Sequence, residues 1–152
     1  MTEQTKGHIS AVRQSILMIE TIEIYLGYSN LDIYTLFSLL SERDSYSKLY
    51  FIEGIYYDLK NGFDFDYAYK NSLQKSNLTH YLDKDDIDLL SCFFSILGRS
   101  DVDGQISNCK LYKQFLTQKL NALECQEKSK RKSNFALSIG SGLIISILFF
   151  KV

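Results

Sequence analysis

The C-terminal stretch KSKRKSNFALSIGSGLIISILFF, residues 128–150, decides how this chain is organised. Its last sixteen residues, Phe135 to Phe150, carry no formal charge. A helix rises about 1.5 Å per residue, so this run spans about 24 Å of a bilayer core that is about 30 Å thick. Its large apolar side chains favour insertion by about 3–6 kcal/mol in total. A buried core helix or an interfacial helix are the alternatives, but the run has no polar face. We therefore predict a transmembrane helix over residues 135–151.

Basic residues precede the apolar run, in a juxtamembrane segment over residues 128–134. The positive-inside rule places residues 1–127, the bulk of the chain, in the cytoplasm as a domain held at the cell membrane. The run lies at the wrong end of the chain for a signal peptide. We expect four cations to contact lipid headgroups: Lys128, Lys130, Arg131 and Lys132.

Small residues recur every four positions within the apolar run, and this spacing lets two membrane helices approach closely. The pairs are Ala136 with Gly140, and Gly142 with Ser146. The pattern is compatible with a homo-oligomer formed through the membrane helix. It is also compatible with the general abundance of Gly and Ser in such helices.

Charge is distributed unevenly between the two parts of the chain. Residues 1–127 carry 12 basic and 18 acidic side chains, a net charge of −6, whereas residues 128–152 carry 5 basic and none acidic. An acidic domain is repelled by nucleic acid, so we expect no DNA or RNA partner. Hydrophobic residues make up 45% of the chain and proline is absent, which favours an all-α fold.

Apolar residues at helical spacing and local breaks predict a bundle of about six short helices before the membrane helix. Gly27 is expected to stop the first helix, Ser29 or Asn30 to cap the second, and Asp83 to begin the fifth. The predicted helices cover residues 8–26, 31–42, 46–60, 64–74, 83–98 and, from Ser100 onward, a long sixth helix that continues toward the tail.

Residues that could carry catalysis or bind a cofactor are not found in a recognisable pattern. His8 and His80 have no Cys or His at metal-ligand spacing, and no phosphate-binding glycine motif occurs. The Asp83–Asp88 cluster lacks the glycine and distal Glu of a calcium loop, so a charged helix start is expected there. We predict no enzyme activity, no cofactor and no metal. The cysteines are expected to be free thiols, with Cys92 and Cys109 on apolar faces.

The segment between the fifth and sixth helices has the densest pattern of turn residues. In it, Gly98 is expected to end one helix, Ser100 to cap the next with support from Asp101, and Gln105 to bond the exposed carbonyls of the turn. A direct contact with a partner is the other interpretation. The motif comprises Leu97, Gly98, Ser100, Asp101 and Gln105.

Several of these stretches together resemble the stage III sporulation protein AB family of endospore-forming bacteria. The similar segments are Leu82–Asp86, Leu89–Leu90, Leu97–Asp101 with Gln105, Asp66–Leu73, Ile24–Tyr28 and Gly140–Phe150. Members of the family usually begin with an N-terminal membrane helix, whereas this chain begins with the polar Met1–Lys6, which leaves one-anchor and two-anchor topologies open.

The resemblance implies a cytoplasmic helical domain similar to the type II secretion F-type platform proteins. It also implies a place in the channel complex between mother cell and forespore, on the mother-cell side, with contacts to the ATPase of that complex and to its other subunits. The alternative is a tail-anchored helical adaptor or membrane-active protein unrelated to sporulation.

Overall fold

The structure, a computed structural model, describes residues 1–150, and for residues 134–150 it describes the helix without the side chains. Over this described range the chain is all-α, with six α-helices, one short 3₁₀-helix and no strand. The α-helices are α1 (Glu3–Tyr28), α2 (Ile33–Ser41), α3 (Phe51–Lys60), α4 (Phe65–Gln74), α5 (Lys84–Ile96) and α6 (Val102–Phe150). The prediction of an all-α fold with about six helices is therefore confirmed.

Residues Met1–Leu120 form one compact unit, and Asn121–Val152 form a second. In the first unit, α3 packs against α2 and α4, and α4 packs against α5. The described part of the second unit is entirely helical.

Phe94 lies at the centre of the core of the first unit, and it is fully buried. Its ring centroid lies within 6.0 Å of five other aromatic rings, contributed by α2, α3, α4 and α5 itself. These rings belong to Phe37, Phe51, Phe65, Tyr69 and Phe93. Burial of each large aromatic side chain contributes about 1.5–3 kcal/mol, so this cluster contributes substantially to the stability of the bundle.

Two glycines allow close approaches that a side chain would prevent. A Cβ at Gly7 would lie 2.1 Å from the ring of Tyr81, which packs directly on α1. A Cβ at Gly54 would lie 2.8 Å from Ser72 Oγ, at the contact between α3 and α4. These positions are therefore restricted to glycine by space rather than by backbone conformation.

Two helix termini differ from the prediction. Gly27 does not stop the first helix, because α1 continues to Tyr28, and Gly62 and Gly98 are the glycines with positive φ in the described residues. The N-cap of α2 is Asp32 rather than Ser29 or Asn30, since Asp32 Oδ1 accepts a hydrogen bond of 2.7 Å from the backbone N–H of Thr35. A carboxylate directly before the helix can accept hydrogen bonds from the unpaired N–H groups of the first turn, whereas a side chain further away cannot reach them.

The predicted helix over residues 46–60 is interrupted in its first turn. Asp44–Tyr46 form a 3₁₀-helix, and the α-helix begins only at Phe51. Gln14 Oε1 accepts a 2.7 Å hydrogen bond from the backbone N–H of Lys48, and this removes a donor from the helical ladder. Tyr46 is buried, and its hydroxyl donates to Thr21 Oγ1 at 2.7 Å. Contacts with α1 therefore override the local helical preference.

The predicted membrane helix over residues 135–151 lies outside the residues whose side chains are described. Among the described residues, no helix is both long enough and apolar enough to cross a bilayer.

Candidate functional site

Four charged or titratable side chains from three helices meet at the start of α5. Asp86, whose side chain is 1% exposed, lies with its Oδ2 atom 2.7 Å from His8 Nε2 of α1 and its Oδ1 atom 2.6 Å from Lys119 Nζ of α6. The same Nζ atom lies 2.7 Å from both carboxylate oxygens of Asp83. We call His8, Asp83, Asp86 and Lys119 the ionic cluster.

The capping geometry of α5 builds the acidic half of the cluster. Asp83 is the N-cap, and its Oδ1 atom accepts a hydrogen bond of 2.9 Å from the backbone N–H of Asp86. Asp86 Oδ2 accepts one of 3.0 Å from the backbone N–H of Asp83, which completes a capping box. The prediction that Asp83 begins this helix is confirmed. Backbone hydrogen bonds within α5 therefore hold both carboxylates in place.

Opposite charges shift the pKa values within the cluster. Burial by itself would raise the pKa of Asp83, but hydrogen bonds from Lys119 and from the backbone of Asp86 outweigh it, so the pKa lies below the ordinary value. Burial would likewise lower the pKa of Lys119, but its bonds to Asp83 and Asp86 raise it above the ordinary value. Asp83 and Lys119 are therefore both held in their charged forms at neutral pH.

The cluster also has the composition of a metal site, since ligand atoms of His8, Asp83 and Asp86 all lie within 4.8 Å of one another. Lys119, however, already donates hydrogen bonds to Asp83 and forms an ion pair with Asp86, and a divalent cation would have to displace its ammonium group. The geometry is that of an ion-pair network that joins α1, α5 and α6. This arrangement orders the bundle without requiring a metal.

The second candidate site is the turn between α5 and α6. Gly98 has a φ of 84°, and its N–H donates to Gln105 Oε1 at 3.1 Å. Gln105 Nε2 donates in turn to the carbonyl of Ser100 at 2.8 Å. The expected bond from Gln105 to a turn carbonyl is thus observed. Gln105 fixes the turn from both sides.

Asp101, and not Ser100, caps α6. Asp101 Oδ1 accepts a hydrogen bond of 3.0 Å from the N–H of Gly104, and the helix begins at Val102. The prediction that Ser100 is the N-cap is wrong, because the chain leaves the turn one residue later than expected. Leu97 is buried, whereas Gly98, Ser100 and Asp101 are exposed, so the turn presents polar groups on the surface.

A salt bridge links this turn to the start of α4. Arg99 Nη2 lies 2.6 Å from Asp66 Oδ2, and both side chains are largely exposed. Two segments that resemble the family, Asp66–Leu73 and Leu97–Gln105, are therefore adjacent in space. Sequence reasoning treated them separately, because nothing in a single sequence indicates which loops meet.

The predicted lipid-facing cations all lie on α6, and all four are exposed: Lys128, Lys130, Arg131 and Lys132. Lys130 Nζ lies 3.8 Å from Glu127 Oε1 one turn earlier, a distance too long for a strong pair. Their contact with headgroups stays a prediction. The side chains of the predicted helix-packing residues, Ala136, Gly140, Gly142 and Ser146, lie outside the described part.

The cysteines occupy different environments. Cys109 is buried, and burial raises the pKa of its thiol to about 12. Cys92 is exposed, which does not fit the prediction that it lies on an apolar face. The raised pKa of Cys109 makes its thiol a poor nucleophile at neutral pH.

The chain is similar to a family of known proteins over nearly its whole length. The family model for stage III sporulation protein AB matches residues 1–150. The chain belongs to this family. No curated protein and no solved structure matches it. The match includes all of the segments that resemble the family, from Ile24–Tyr28 to Gly140–Phe150.

Membership of the stage III sporulation protein AB family makes this a sporulation-related protein. Two of the segments that resemble the family have structural roles here: Asp83 and Asp86 cap α5 and pair with Lys119, while Gly98 and Gln105 shape the turn before α6. His8 and Lys119 were not found by sequence reasoning. The sequence signal that could have pointed to them is the pair of acidic residues, Asp83 and Asp86, that they contact.

Proposed function

We propose that this chain is a membrane-anchored, non-catalytic assembly subunit of the channel complex between mother cell and forespore. The observation that carries the proposal is the family match over residues 1–150. The ionic cluster supports a non-catalytic role, since its carboxylates are engaged by Lys119 and by backbone N–H groups. The chain acts by holding other subunits in place.

The uncharged run over residues 135–150 supplies the membrane anchor in this proposal. Its position after the exposed cations at 128–132 orients residues 1–127 toward the cytoplasm of the mother cell. Close helix–helix approach at Ala136, Gly140, Gly142 and Ser146 would allow copies to associate within the bilayer.

Ile144→Lys tests the anchor. A lysine at the bilayer centre costs about 3 kcal/mol, which is comparable to the whole favourable sum for insertion. We expect the variant to move to the soluble fraction with the helical content of residues 1–120 intact, while Ile144→Leu stays with the membrane. Retention of the lysine variant in the membrane fraction would show that residues 135–150 are not the main anchor.

The partners in this proposal are the ATPase and the other subunits of the same complex. The net charge of −6 on residues 1–127 favours partners with basic surfaces. We expect the protein to co-purify with these subunits from sporulating cells, with an affinity that falls as ionic strength rises. We also expect its deletion to block spore formation. Two results together would refute the proposal. The deletion strain would sporulate normally, and in wild-type cells the protein would be present at equal levels during vegetative growth and sporulation.

A further inference from the structure

An exposed aromatic pair lies at the turn between α3 and α4. The rings of Phe63 and Tyr67 stack with centroids 4.5 Å apart and planes 24° apart. Phe63 is 47% exposed and Tyr67 is 46% exposed. Two large aromatic side chains that shield each other but remain half open to solvent provide a ready surface for a partner.

The conformation of the turn explains why Phe63 points outward. Gly62 has a φ of 90°, its N–H donates to the carbonyl of Leu59, and the N–H of Phe63 donates to that of Asp58, both at 3.1 Å. This is a Schellman motif, in which the residue at the Phe63 position usually packs on the residue at the Asp58 position. Here the carboxylate of Asp58 instead accepts a hydrogen bond from Asn71 Nδ2 at 2.8 Å. The residue at the usual packing position of this motif is thus an acidic one, and the ring of Phe63 stacks on Tyr67.

Two carboxylates neighbour this aromatic pair in the chain, Asp64 and Asp66. Asp64 caps α4 and Asp66 follows in its first turn, and the pairing of Asp66 with Arg99 brings the acidic start of α6 to the same end of the bundle. That start adds two exposed carboxylates, Asp101 and Asp103. The cations at this end are Arg99, already paired with Asp66, and Lys60, the last residue of α3, with Lys70 a turn further along α4. We call Phe63, Asp64, Asp66 and Tyr67 the aromatic–acidic surface.

We propose that the aromatic–acidic surface docks an arginine-bearing segment of a partner protein. A guanidinium group stacks on an aromatic face and at the same time donates to neighbouring carboxylates, which a lysine ammonium group does less well. Within the chain, Asp66 already accepts a hydrogen bond of 2.6 Å from a guanidinium group, that of Arg99. The inference rests on the proposed function, because it requires that the protein works by contacts with other subunits, and it specifies the chemistry of the partner.

Fluorescence anisotropy with labelled hexa-arginine and hexalysine tests this preference. The full chain in a non-ionic detergent is titrated with each peptide at the same ionic strength, so that net charge is matched. We expect hexa-arginine to bind about two- to fivefold more tightly. Phe63→Ala/Tyr67→Ala should reduce its affinity to that of hexalysine. Tyr28→Ala removes an aromatic ring that is 89% exposed on α1 and should change neither affinity.

A second variant guards against misfolding of the aromatic double variant. Asp64→Ser keeps a side-chain acceptor for the helix cap but removes one charge from the surface, and it should weaken hexa-arginine binding about two- to threefold. Equal affinities for the two peptides, or unchanged hexa-arginine binding in both Phe63→Ala/Tyr67→Ala and Asp64→Ser, would overturn the docking surface.

The proposed function is judged separately, by co-purification with the sporulation complex. If the wild-type chain co-purifies and the surface variants bind hexa-arginine like wild type, the function stands and the docking surface is wrong. If the wild-type chain does not co-purify, the proposed function fails. The docking surface fails with it, because it is proposed to bind a subunit of that complex.

Discussion

Replacing Lys119 tests whether the ionic cluster holds α6 onto the bundle. In Lys119→Met the apolar stem is retained, but the ammonium that lies 2.6 Å from Asp86 Oδ1 and 2.7 Å from both oxygens of Asp83 is lost. Asp86 is 1% exposed, so water cannot solvate its carboxylate in place of the lost ammonium group. His8 remains 2.7 Å from the other oxygen of Asp86 as the nearest possible cation.

The expected loss in the free energy of unfolding follows from the burial of the ion pair. Removing one partner of a fully buried ion pair costs about 3–5 kcal/mol. The exposure of Asp83, at 47% of its side chain, and the remaining contact with His8 reduce this, so we expect the free energy of unfolding to fall by about 2–3 kcal/mol. For a unit of this size the loss corresponds to a decrease in Tm of about 6–15 °C.

Thermal unfolding followed by circular dichroism, with the full chain in a non-ionic detergent, measures this effect. Lys110→Met is the matched control, because Lys110 is exposed on the same helix, and it should stay within about 0.5 kcal/mol of wild type. Adding Asp86→Asn to Lys119→Met should recover part of the loss by removing the unpaired charge. A Tm of Lys119→Met within about 2 °C of the control would refute the stabilising role of the cluster.

Three further changes test other parts of the structure. Gln105→Ala removes the bonds to the N–H of Gly98 and the carbonyl of Ser100, and chemical denaturation should show a loss of about 1 kcal/mol, with no loss if the turn is held otherwise. Gly7→Ala places a methyl group 2.1 Å from the ring of Tyr81 and should cost about 1–3 kcal/mol, whereas an unchanged Tm would mean that the ring moves freely. Folding lowers the pKa of Asp83, so the stabilisation by this residue is complete above the ordinary value of 3.8 and is lost as pH falls through the folded-state pKa. The free energy of unfolding should therefore fall less steeply with decreasing pH in Asp83→Asn than in wild type.

Some helix termini could be predicted because local chemistry specifies them. Asp83 caps α5 as the sequence predicts, since a capping carboxylate interacts with N–H groups only two or three residues away, whereas the caps of α2 and α6 are Asp32 and Asp101 rather than the predicted residues. Gly98 likewise adopts the positive φ that suits a helix end. These features depend on a few consecutive residues, and a single sequence contains all of the information needed.

Features that depend on distant residues could not be predicted in this way. The 3₁₀ turn before α3 exists because Gln14 accepts a hydrogen bond from Lys48, 34 residues later. The ionic cluster joins His8 and Lys119 to Asp86, across separations that hydrophobic periodicity does not encode. The acidic residues of the cluster were visible as a helix start, but their partners were not.

The ring of Phe94 touches aromatic side chains from three neighbouring helices, and this has a consequence for how the bundle opens. No one of α2, α3 or α4 can detach without exposing that ring and several of its neighbours to water. Partial opening is therefore nearly as costly as complete opening. Amide hydrogen exchange in these helices should converge on a single, global protection level, so that the bundle behaves as one rigid block when force is transmitted through it.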